Sequence, residues 1–119
     1  MKRFPVILAA LLAIPAAAQV VPPRELSLEH RMLLRCSAAF ALVANRQATG
    51  DPTAAEYPPL KERGSEYFVR ASARVMDEAG LDRSAVDAAL RAEAQALLQG
   101  GTLAAVMPAC LSALEAARL

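Results

Sequence analysis

The sequence has no tryptophan, one histidine, two cysteines and only 4% aromatic residues in a chain of 119. Each scarcity closes a class of chemistry. His30 has no placed Ser, Cys or Asp partner, and a lone imidazole is a poor general base or nucleophile activator. A surface or capping role is expected for it. Two cysteines and one histidine fall short of a four-ligand zinc site, and their spacing fits neither Cys-x-x-Cys nor a haem attachment. Arg63-Gly64-Ser65 carries a single glycine, so it is neither a phosphate loop nor a nucleophile elbow. Glu62 and Glu66 stand one helical turn apart, but the Glu-x-x-His motifs that accompany such pairs in metal-binding bundles are missing. Met32, Met76 and Met107 read as core rather than as haem ligands. No catalytic residue, metal site or cofactor is assigned, and an enzyme is the lesser reading.

An excess of either charge is also lacking. Thirteen Lys and Arg face twelve Asp and Glu, so no broad surface attracts nucleic acid or an anionic membrane. Strand alternation, hairpin turns and internal repeats are absent from the pattern. At 55% apolar and 21% charged the chain is not a disordered tail, and its length suits one domain rather than several.

What is present begins with an export signal over residues 1–18. Lys2 and Arg3 precede the apolar stretch Phe4 to Ile14. Pro15 breaks it, and Ala16-Ala17-Ala18 offers small residues where a signal peptidase cuts, before Gln19. The stretch is shorter than the ~20 residues a membrane span needs. No Cys follows the cut, which argues against a lipid anchor. The expected location is the periplasm or the exterior, with no stable membrane insertion after cleavage. Beyond Lys61, every cation that remains after cleavage is arginine, which reads as a coding bias toward Arg and Ala.

Residues 19–25, with Pro22-Pro23, read as an extended lead-in. Residues 26–119 read as a helical domain. The first helix is expected over Leu26–Ala48, with Met32, Leu33, Cys36, Ala39, Phe40 and Val43 on one stripe, stopped at Gly50. After a short turn capped by Asp51, a second helix starts near Pro59 or Leu60 and ends at Ala79-Gly80. Its inner face is Leu60, Gly64, Tyr67, Phe68, Ala71 and Val75. Gly64 costs a helix about 1 kcal/mol against Ala, so a close helix crossing is expected there. Asp82 caps a third helix, with Leu81 and Val86 as a hydrophobic staple. Gly100-Gly101 ends it. Thr102 is expected to cap the last helix, whose stripe is Leu103, Val106, Met107, Cys110, Leu111 and Leu114, with a kink or restart at Pro108.

Cys36 and Cys110 lie at the centres of the first and last stripes. In an exported chain they predict one disulfide, closing a loop of about 75 residues worth roughly 4 kcal/mol. The expected fold is therefore all-α: a small bundle of about four helices closed by one disulfide and preceded by a signal peptide. Tyr57, Arg63, Tyr67 and Arg70 form the candidate interaction patch, because Tyr and Arg anchor interfaces. The competing reading puts Tyr67 and Phe68 in the core and Tyr57 against the prolines.

Cys36-Ser37-Ala38-Ala39-Phe40, Arg63-Gly64-Ser65-Glu66-Tyr67-Phe68 and Val106-Met107-Pro108-Ala109-Cys110-Leu111 resemble segments of a group of small exported, disulfide-clipped helical proteins from Gram-negative bacteria. The function of that group is not established, and no catalytic residue carries over. In size and in having one long-range disulfide, the chain is also similar to small acid-activated periplasmic chaperones, whose motifs it does not share. The expected function is an exported soluble binding or interaction protein, with a stress-related role as one form of it. Its partner is an unknown protein or small ligand. The alternative is a small enzyme or cofactor carrier with a bundle-centred site.

Overall fold

The computed structural model describes residues 26–119; the residues read as an export signal (1–18) and an extended lead-in (19–25) lie outside them. Four helices follow one another: α1 (Leu28–Ala48), α2 (Lys61–Ala79), α3 (Arg83–Leu97) and α4 (Thr102–Ala116), with a single 3₁₀ turn at Pro52–Ala54. No strand occurs among the described residues. The chain is an all-α bundle, and Cys36–Cys110 closes it with Cα atoms 5.2 Å apart, inside the range a disulfide can bridge. Among the described residues no helix is long and apolar enough to cross a membrane.

Local chemistry sets each boundary. The Ser27 hydroxyl accepts the His30 amide at 3.0 Å, so α1 starts at Leu28 rather than Leu26. Asp82 caps α3 as expected, its carboxylate accepting the Ala85 amide at 2.8 Å. The start of α4 differs from expectation. Gly101 takes φ 74° and occupies the cap position with no capping side chain, so Thr102 is already helical. A left-handed residue costs glycine nothing, and the turn it makes lets the Thr102 amide reach the Gln99 carbonyl at 3.0 Å. Nor does α4 restart at Pro108. The helix runs through that residue; its missing N–H leaves the Ala104 carbonyl without its helical partner, on an exposed face where water can replace it.

The α1 stripe read from the sequence is too narrow. Leu34 and the whole run Cys36–Phe40 are buried, so α1 is covered all round over that stretch, while Arg31, Ala41 and Asn45 stay exposed on either side of it. The side chains of Ser37, Ala38 and Ala39 are small enough for neighbours to close in around them. Ser37 keeps its hydroxyl bonded to the Leu33 carbonyl at 2.8 Å, which removes most of the cost of burying it. The α1–α2 crossing falls at Gly64 as expected. A Cβ built there would lie 2.9 Å from the Cβ of Phe40.

Burial forms two clusters. The larger gathers Cys36, Phe40, Tyr67, Leu97, Met107, Cys110 and Leu114. The smaller packs Leu34, Val75 and Val86, where α1 begins, α2 ends and α3 begins. Ion pairs ring this second cluster. His30 Nε2 meets Glu78 at 2.8 Å, Arg74 joins Glu78 at 2.8 Å and also reaches Glu29, and Arg35 meets Glu93 at 2.8 Å. His30 thus ties α1 to α2 with a side chain only 13% exposed, a more enclosed role than the surface position expected of it.

These contacts give a pH prediction. Hydrogen bonds from His30 and then Arg74 hold the Glu78 carboxyl below its ordinary value of 4.5. A carboxyl whose folded value is depressed stabilises the fold above its unfolded value, and loses that contribution as pH falls through the folded one. Glu78→Gln should therefore melt lower than the parent at pH 7, with the difference closing below pH 4.5. At pH 5–6 the carboxylate is still charged, so binding of a hydrophobic dye should stay flat there. Thermal melts and dye titration across this range check both statements.

Candidate functional site

The N-terminal half of α2 is placed by one side chain that pattern reading passed over. The backbone bonds of the linker before α2 end at Tyr57, whose amide reaches the Ala54 carbonyl at 3.3 Å, because Pro58 and Pro59 have no amide hydrogens to donate. Gln47, on the last turn of α1, supplies the partners. Its side-chain amide donates to the carbonyls of Ala54, Tyr57 and Pro58 at 3.3, 3.3 and 2.9 Å, and its oxygen accepts the Leu60 amide at 3.1 Å. Leu60 is buried beneath, and α2 starts at the next residue.

The four residues of the expected interaction patch do not share one surface. Tyr67 is 6% exposed and meets the Phe40 ring edge to face, with centroids 5.1 Å apart. This is a core contact, and burial pushes its phenol above the usual tyrosine value. Tyr67 is therefore corrected from interface to core. Tyr57 is half-buried on the linker, lining a different recess with Val43, Arg46 and Leu103. Burial, and then the neighbouring Glu56, raise its phenol. Phe68, expected inside, is instead 42% exposed. It adjoins Tyr67 in sequence, and with Tyr67 turned to the core the next residue is carried about 100° round the helix.

Arg63 and Arg70 are brought together, at the end of α4. The Arg63 guanidinium donates to the Leu119 carbonyl and to Glu115, both at 2.7 Å. Arg70 donates to the Ala117 carbonyl at 3.4 Å and lies 3.7 Å from Glu66. The α4 terminus is closed by Arg118 at φ 57°. The Arg118 amide bonds to the Glu115 carbonyl and the Leu119 amide to the Leu114 carbonyl, the pattern of a Schellman motif. The two arginines cover carbonyls left free at that end and face its negative dipole.

Two open recesses result. A cleft of about 680 Å³ is lined by Lys61, Glu62, Arg63, Glu66, Arg70 and Arg118, among others. A groove of about 250 Å³ runs between α1 and α2, walled by Phe40, Ala41, Ala44, Leu60, Gly64 and Phe68. Lys61 and Ser65 line both. Lys61 makes no ion pair among the described residues, in contrast to Arg63 and Arg70. The cysteines are 1% and 0% exposed and bridged, so they offer no thiol. Among the described residues no three of His, Cys, Asp and Glu gather as metal ligands. Comparison with protein families, with curated proteins and with solved structures finds no match.

Proposed function

We propose that the chain is an exported binding protein whose binding face is the N-terminal half of α2. The observation that carries this reading is the meeting of two open recesses at Lys61 and Ser65. One is lined by charged side chains and the other by apolar ones, and Phe68 stands uncovered beside them. Phe40, Tyr67, Met107 and the disulfide fill the bundle centre, which favours a surface site over a bundle-centred one. Export is supported by the Lys2-to-Ala18 signal pattern, by a disulfide that persists in oxidising compartments, and by the likeness of three segments to small exported helical proteins.

Immobilised protein with residues 19–119 should retain a defined set of components from periplasmic extract. A Lys61→Glu, Phe68→Asp variant that keeps its helical circular dichroism should lose that set. Equal retention by both proteins would remove α2 as the binding face. Intact mass of the exported product should place its first residue at Gln19; a product retaining Lys2 and Arg3 would overturn export.

A further inference from the structure

We propose that the α1–α2 groove holds the alkyl chain of a small single-chain carboxylate, with the carboxylate on Lys61; this rests on the reading of α2 as the binding face and names its ligand class. The groove exists because Ala41, Ala44 and Gly64 are too small to fill the space beside Phe40, Leu60 and Phe68. Its volume of about 250 Å³ lies below the ~300–1,000 Å³ of sites for drug-sized molecules. That admits one short chain and excludes a partner helix. The apolar walls require a hydrocarbon occupant.

The mouth selects the head group. Lys61 is the cation on the groove's rim, and no carboxylate pairs with it among the described residues. The Ser65 hydroxyl beside it is already donated to the Lys61 carbonyl at 2.7 Å. Glu62 and Glu66 line the cleft but not the groove. Arg63 and Arg70 are taken up by Glu115, Glu66 and the carbonyls after α4. Arg118 also has no ion pair among the described residues, but it lines the cleft and not the groove, so the single ammonium on the groove's rim matches a monoanion better than a phosphate diester's larger head or a dianion. The first turn of α2 has no capping side chain but carries Glu62, which offsets the positive end of the helix dipole, so the attraction for the head group comes from Lys61.

Sodium decanoate, titrated below its micellar concentration into the disulfide-bonded protein, should bind saturably by calorimetry. Lys61→Glu should weaken it by about three- to ten-fold, the scale for reversing one exposed charge. Ala44→Leu, which fills the groove, should abolish it, with circular dichroism confirming the fold. Decylammonium of the same chain length should not bind. The inference fails if decanoate shows no saturation, if decylammonium binds equally, or if Lys61→Glu has no effect. It fails also if anionic phospholipid vesicles capture the protein more strongly than free decanoate, which would make the ligand a membrane surface. Failure of decanoate alongside α2-dependent retention from extract would remove the ligand class and leave the binding face standing.

Discussion

Replacing Cys36 and Cys110 together with alanine should lower the free energy of unfolding by about 2–5 kcal/mol and leave the helices in place. The bridge joins α1 to α4 across a sequence separation of 74, so it removes a large loop's freedom from the unfolded chain. A loss of that size is a substantial share of the ~5–15 kcal/mol available to a domain. Both sulfurs are buried, so the double alanine variant also leaves a small void beside Met107 and Leu114. Helicity should survive because the stripes Leu103, Met107, Leu114 and Leu34, Phe40, Val43 still have their faces to bury. Urea unfolding followed by circular dichroism measures the change. A shift below about 1 kcal/mol would mean that packing alone holds α4. Labelling of the native protein with a thiol reagent should give no signal, and complete labelling of both residues would refute the bridge.

The disulfide and the order of helices were legible because they rest on local signals. Asp82 as a cap, Gly64 as a crossing point and the two cysteines at stripe centres each follow from residue type and spacing. The position of α1 was not legible in the same way. A 3.6-residue stripe assumes one wet side, and nothing in Cys36-Ser37-Ala38-Ala39-Phe40 states that three other helices will surround it. Tyr67 leaves the expected interaction patch for a related reason. Tyr67 and Phe68 are neighbours in sequence, so only one can point fully inward, and the choice depends on Phe40 approaching from α1. Gln47 could have been suspected from Pro58-Pro59, since two successive residues without amide hydrogens strand the carbonyls around them. The cleft needed the three-dimensional return of Arg118 and Leu119 to the start of α2, which no local pattern encodes.

Phe40→Ala should be about as destabilising as loss of the disulfide, at about 3–5 kcal/mol. The ring is fully buried and stands edge to face on Tyr67 at 87°. Its removal opens a cavity between α1 and α2 that helices pinned at Gly64 cannot easily close. Gly64→Ala tests that pinning from the other side. Alanine is the better helix former by about 1 kcal/mol, yet its Cβ would sit 2.9 Å from the Phe40 Cβ. Both atoms are fixed to helix backbones, so relief requires the helices to separate. Overpacking of this kind costs about 1–3 kcal/mol, and the net change should be a loss of up to about 2 kcal/mol. The clash is with the Cβ and not the ring. Gly64→Ala should therefore cost about the same in a Phe40→Ala background, where that carbon remains, and much less in a Phe40→Gly background, where it is gone. Urea unfolding of the parent, the three single variants and the two doubles measures the coupling. A neutral or stabilising Gly64→Ala in the parent would show that α1 and α2 do not meet there as closely as their backbones indicate.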